Sequence, residues 1–377
     1  MLSSVDGVGG AMRILRHPSP VLTVASRTLP PTCVEIGSSG WDGPGFVASG
    51  GLELSYWDLH GFLLLPTLWL LTAGKPTMLN DERDPLKTTA SFAYLAFILT
   101  IAVGQAFVWD SVGAQIGIWT FNPEKVTGLG AATLLPLEEI LWLFHHVIKA
   151  ALWTLKMSEW TLTAAPDGTP APMADSVRAA GNTVLVAMTL AGMTALAGDE
   201  DHLKCLGLIA TFFTPVFAVV WNLGARYLRS HWRLFVSSWL PPGMWTVCID
   251  CVGQQQGVWS FPSRYLTGLS TLPDGLLKLD IAAVYLVSTF AVTATGAIIL
   301  AASEEFAEVR ASSRAAAAAA AATDGGGAQL GTAPLVDAES LWDLFLFILH
   351  GAAPKTAERV AQAMPPASSS WRVLSAE

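Results

Sequence analysis

Two adjacent carboxyls, Glu138 and Glu139, open an apolar run that goes on to carry Trp142, His145, His146 and Lys149. On a helix turning 100° per residue, Glu138, Trp142, His145 and Lys149 fall within about 60° of one another, and Glu139 and His146 form the adjacent stripe. Such a face avoids lipid and turns into a helix bundle, where ionisable groups mark function. A helix N-terminus favours a carboxylate by up to ~2 kcal/mol. Dry burial opposes ionisation more strongly, and a second carboxyl alongside adds like-charge repulsion in the same direction. The expected product is a neutral carboxylic acid facing an apolar space, able to protonate a carbon–carbon double bond. The plainer alternative is a helix start: Pro136 followed by acids in the first turn is ordinary N-terminal chemistry.

The elements that hold these groups are membrane spans. Of the 377 residues 52% are hydrophobic and 14% charged, where soluble domains carry roughly a quarter charged residues. A bilayer crossing takes ~20 helical residues. Apolar runs near 57–73, 88–108, 134–155, 179–197, 203–225, 233–250 and 276–301 predict an all-α, polytopic bundle of about seven spans, the first weakened by Asp58, His60 and Pro66. With strict alternation, one face holds Lys75, Arg83, Lys87, Lys156, Arg178, Arg226, Arg229, Arg233, Arg310 and Arg314, and the other only Lys125, Lys204, Arg264 and Lys278. The first face is therefore expected to be cytoplasmic or its topological equivalent. The net charge of −9, without long basic clusters, gives no footprint for nucleic acid.

An internal repeat organises the spans. Residues 110–129 (DSVGAQIGIWTFNPEKVTGL) and 250–269 (DCVGQQQGVWSFPSRYLTGL) agree at ten of twenty positions without a gap. Asp110/Asp250, Gly113/Gly253, Gly117/Gly257, Trp119/Trp259 and Phe121/Phe261 are among the shared residues. Each copy joins the second and third helix of a three-helix unit, with the fourth span as connector, so the units run parallel and both loops emerge on one face. The predicted domains are an arm at 1–55, unit 1 at 56–157, a linker and connecting span at 158–200, unit 2 at 201–301, and a low-complexity linker with an amphipathic tail at 302–377. The paired Asp, Trp and Phe suit either loop anchoring at the headgroup level or the wall of an apolar site between the units.

Other signals are weaker. Four cysteines make no disulfide framework, and the single pair Cys248 and Cys251 completes no zinc site. The Ser/Gly/Pro-rich arm has a poor resemblance to an organelle transit segment, Ala315–Ala322 with Gly325–Gly327 reads as a linker, and Glu339–His350 is apolar but too short to span. No metal or other cofactor is called for.

Asp-x-x-Gly-x-x-x-Gly-[Ile/Val]-Trp-[Thr/Ser]-Phe, then Thr-Gly-Leu and Pro-Leu-Glu-Glu, resembles the lycopene cyclase domain of membrane-integral carotenoid cyclases, in their two-subunit bacterial and fused archaeal and fungal forms. The likeness covers about 56–157 and 201–301. It implies an isomerase (an intramolecular lyase) of carotenoid biosynthesis that turns the linear ψ-ends of lycopene into β-rings. A terminal double bond is protonated, an internal alkene attacks the cation, and a proton leaves. Glu138 and Glu139 would be catalytic. Asp110, Trp119, Phe121, Trp142, His145, Asp250, Trp259 and Phe261 would contact the polyene, the aromatic faces stabilising cations by ~0.5–2 kcal/mol each. The implied partners are the polyene, the lipid bilayer and a homo-oligomer or carotenoid-enzyme complex; the location is a multi-pass membrane, with a plastid or other organelle as one address. Unit 2 departs from the pattern: it reads Leu272-Pro273-Asp274 through Lys278-Leu279-Asp280 where Pro-x-Glu-Glu is expected, leaving Asp274 and Asp280 as replacements. Three competing readings are a non-catalytic carotenoid-binding or accessory protein, a prenyltransferase using Asn80-Asp81-Glu82-Arg83-Asp84, and a transporter with spans broken at Pro66 and Pro215.

Overall fold

The computed structural model describes residues 53–79, 85–129, 135–162, 173–269, 277–323 and 339–352. The Asn80–Asp84 cluster, Asp274, the Gly325–Gly327 run and nearly all of the N-terminal arm lie outside the described residues. Within them the chain is helical: α1 (Tyr56–Leu71), α2 (Pro85–Ile116), α3 (Leu137–Thr161), α4 (Asp175–Ala197), α5 (Lys204–Ser230), α6 (Trp232–Gln255), α7 (Leu279–Thr323) and α8 (Glu339–Ala352). One pair of two-residue strands, β1 (Thr120–Phe121) and β2 (Trp259–Ser260), and short 3-10 turns at Thr77–Leu79, Asp201–Leu203 and Ser263–Tyr265 complete the regular structure of the described residues.

Among the described residues four helical segments are long and apolar enough to cross a membrane: Lys87–Ile116, Asp175–Ala197, Asp201–Ser230 and Leu279–Ser312. α1 is shorter, and its weakness in the sequence is local chemistry. Ser55 and Asp58 form a capping box that satisfies the first backbone N–H groups of the helix. α1 and α5 run on through Pro66 and Pro215, so the breaks that a transporter reading asks for do not occur. Neighbouring helices tolerate such prolines in a bundle. The alanine run, read above as a linker, instead continues α7 as far as Thr323. Alanine is the strongest helix former, and no breaker intervenes.

Two apolar clusters fill the interior. At one end Tyr94, Leu155, Tyr227, Ile298 and Phe306 pack between α2, α3, α5 and α7. There Lys87 meets Glu304 at 2.5 Å and Arg226 meets Glu305 at 3.3 Å. At the other end Tyr56, Trp109, Trp119, Trp142, Phe213 and Trp259 pack beneath the strand pair. α4 packs mainly on α5, through the close approach of Gly192 to Gly207, reciprocal amide bonds between Asn182 and Asn222, and a 2.5 Å bond between Thr189 and Thr214. Small residues and polar contacts of this kind hold helices together in lipid. Val184, Val186, Leu190 and Met193 on the rest of α4 are exposed.

Candidate active site

The repeated motif is a device for ending a helix and turning the chain back over it. α2 closes with the N–H groups of Gly117 and Ile118 on the Gly113 carbonyl, and Gly117 has φ +84°; α6 closes likewise with Val258 on Gly253 and Gly257 at φ +62°. A left-handed residue there suits glycine. The following tryptophan folds back onto the helix: a Cβ at Gly113 would overlap the Trp119 ring, and one at Gly253 the Trp259 ring. The two returning segments then pair antiparallel, Thr120 opposite Ser260 and Phe121 opposite Trp259. The loops emerge together and clasp each other.

The next contacts also recur. Thr127 N–H donates to Glu138 Oε1 at 2.7 Å, and Leu137 N–H to the Leu129 carbonyl at 2.9 Å. In the second loop Thr267 N–H donates to Asp280 Oδ2 at 3.1 Å, and Leu279 N–H to the Leu269 carbonyl at 3.1 Å. Asp280 therefore does the work of Glu138, and Ile281 stands where Glu139 stands in the first unit.

The two neighbouring glutamates part company. Glu138 is fully buried, ties the loop to α3 through Oε1, and has no donor on Oε2; the His60 ring nitrogen Nε2 lies 2.9 Å from its backbone carbonyl. Glu139 lines a cavity whose empty space, including its mouth, is about 880 Å³. Trp119, Phe121, Trp142, Trp259 and Phe261 wall this cavity together with Asp110, Tyr56, His146 and Tyr285. The Tyr56 hydroxyl donates to Glu139 Oε2, and its ring packs against Trp259 with centroids 5.0 Å apart.

Of the residues expected to meet a ligand, Asp110, Trp119, Phe121, Glu139, Trp142, Trp259 and Phe261 are brought together here. Glu138, His145 and Asp250 are not in the cavity wall. His145 sits at the α1–α3 contact, Nδ1 3.0 Å from that of His60. Asp250 lies one layer back, accepting from Gln254 Nε2 at 2.6 Å, Trp259 Nε1 at 2.8 Å and the Tyr285 hydroxyl at 2.9 Å. Nearby Lys278, in the loop before α7, donates to the Phe261 carbonyl at 2.9 Å; partial burial lowers its pKa while the Asp250 charge raises it. Tyr56 and Tyr285 carry no sequence signal of their own: Tyr56 stands at the start of the weak first span, and Tyr285 lies within a long apolar run. Deeper in, Lys149 is buried with its ammonium nitrogen 2.6 Å from Thr246 Oγ1, which also lies 3.2 Å from His146 Nδ1.

An aromatic-walled cavity with a few carboxyls and hydroxyls suits an apolar ligand and proton-transfer chemistry. Comparison with known proteins finds lycopene cyclases among its relatives. The chain is 25% identical over 223 residues to a bifunctional lycopene cyclase/phytoene synthase of Phycomyces blakesleeanus, covering 59% of this chain and 35% of that protein. It is 26% identical over 183 residues to a lycopene beta-cyclase of Halobacterium salinarum, covering 48% of this chain and 73% of the archaeal one. A bifunctional lycopene cyclase/phytoene synthase of Aspergillus oryzae is 25% identical over 179 residues, 47% of this chain and 29% of that protein. The match thus spans about a third of the fungal relatives and about three quarters of the archaeal one. No family profile and no solved structure matches the chain.

Proposed function

We propose that this chain, a relative of the lycopene cyclases, closes the linear ends of lycopene into β-rings, an isomerisation within carotenoid biosynthesis. The observation that carries the reading is Glu139: it is the acid of the Pro-x-Glu-Glu motif that faces the aromatic cavity. Glu139, held by the Tyr56 hydroxyl, protonates the terminal double bond of a bound polyene end. The tertiary cation that results is attacked by the internal alkene, and the ring cation then loses a proton. The faces of Trp119, Trp142 and Trp259 lie around the cation, each worth ~0.5–2 kcal/mol. The dry wall keeps water from trapping the cation as an alcohol. Glu138 positions the acid by fixing the loop to the first turn of α3.

The architecture we propose is two three-helix units, α1–α3 and α5–α7, joined by α4, in a multi-pass arrangement of seven crossings. The repeated loop contacts and the strand pair between the loops support it.

Expression in lycopene-accumulating bacteria, with extraction and chromatography of the pigments, tests the function. The expected result is mono- and bicyclic β-ring products that disappear with Glu139→Gln. Unchanged lycopene co-purifying with well-expressed protein would instead identify a carotenoid-binding protein and refute the cyclase reading.

A further inference from the structure

The ring-closing reaction needs a base as well as an acid, and the two halves of the protein differ at the residue that answers this need. Asp110 and Asp250 occupy the same place in the two motif copies, at the same distance before their glycine and tryptophan. Asp250 is saturated by three donors. In the first unit none of those three bonds is made. Gln254 is matched by Ala114, and Tyr285, counted from the equivalent loop contacts of α3 and α7, by Leu143. Trp119, the counterpart of Trp259, leaves its indole N–H without a partner. Asp110 is 4% exposed and lines the cavity, and with those bonds absent its Oδ2 has no partner. Asp110 and Glu139 line the same cavity, and their two carboxyl groups interact directly. Two carboxyl groups bond to each other only when one of them carries a proton.

Building on the cyclase reading, we propose that Asp110 is the catalytic base: Glu139 and Asp110 share one proton, which Glu139 delivers to the polyene and Asp110 recovers from the ring. The chemistry demands neighbouring groups. The carbon that accepts the proton and the carbon that releases it are both bonded to the same ring carbon, so acid and base must face one small region of the substrate. In sequence, the Glu139 O–H bond breaks and a C–H bond forms at the terminal alkene. The internal alkene's electron pair makes the ring bond and moves the positive charge to the methyl-bearing carbon. The C–H bond at the adjacent ring-junction carbon then breaks, its electrons restore the double bond, and the proton passes to the Asp110 carboxylate. Transfer back to Glu139 across the shared hydrogen bond resets the site. No proton is gained or lost overall, as an isomerisation requires.

The test uses membranes containing the full chain, each product being normalised to the amount of protein. Wild-type membranes given unlabelled lycopene in heavy water should incorporate clearly less than one deuterium per ring over many turnovers, because the recovered proton is reused. Asp110→Asn should lose β-ring product at least tenfold per molecule, or divert the cation to rings with the double bond elsewhere, and Asp110→Glu should restore β-rings. A merely structural aspartate would change the amount of protein and leave ring type per molecule alone. One full deuterium per ring, or β-ring formation by Asp110→Asn within twofold of wild type, overturns the assignment while leaving the cyclase reading intact. Absence of any ring product from wild type defeats the cyclase reading itself.

Discussion

At the residue scale two adjacent glutamates have different surroundings, Glu138 holding the loop and Glu139 lining the cavity. Their types and spacing are legible in the sequence, as is the polar stripe on α3, with Trp142, His146 and Lys149 buried as the helical period implies. Which glutamate faces the cavity is not legible, because 100° of helical rotation separates them and both stripes border the bundle. Glu139→Gln removes the transferable proton and should lower ring formation about a hundredfold or more. Glu138→Gln keeps an oxygen able to accept from Thr127 N–H and should retain most of the activity, whereas Glu138→Ala strands that N–H and should reduce the protein recovered from membranes. Pigment yield per molecule, measured for all three, checks both statements. Tyr56→Phe deletes the donor to Glu139 and should slow ring formation about tenfold while leaving expression near normal.

At the scale of elements, the repeat was readable because the motif is ungapped, and the physical meaning of its letters emerges only in three dimensions. The glycine three residues after each aspartate is a seat for the tryptophan six residues further on. Gly253→Ala should force the Trp259 ring off the helix, take its N–H from Asp250, and cost about 1–3 kcal/mol, read as a lower melting temperature in detergent. The second acidic signature is legible only as a choice between Asp274 and Asp280. The loop from Leu269 to Leu279 is two residues longer than that from Leu129 to Leu137, so position alone does not select between them, while the hydrogen bond from Thr267 gives Asp280 the place of Glu138. The alanine stretch misled by its composition: low complexity marks a linker only when nothing favours regular structure, and polyalanine favours helix.

At the scale of the whole molecule the two ends carry different chemistry. Lys87, Arg226 and their glutamates gather at one end; Lys125, Lys278 and the clasped loops gather at the other. With the basic end cytoplasmic, a cysteine introduced at Arg229 should react with a membrane-impermeant maleimide only from the cytoplasmic side, and one at Arg264 only from the opposite side; labelling of sealed vesicles of known orientation decides it. The near-symmetry of the cavity has one further result. On the proposed cyclase reading, Ile281 in the place of Glu139 leaves the second half without an acid and confines ring closure to one corner of the enclosure. A molecule with two identical tails must be turned end for end between events, so at early times the half-finished, one-ringed carotenoid should build up before the doubly closed form, with a lag that lengthens as fresh starting pigment competes for re-entry.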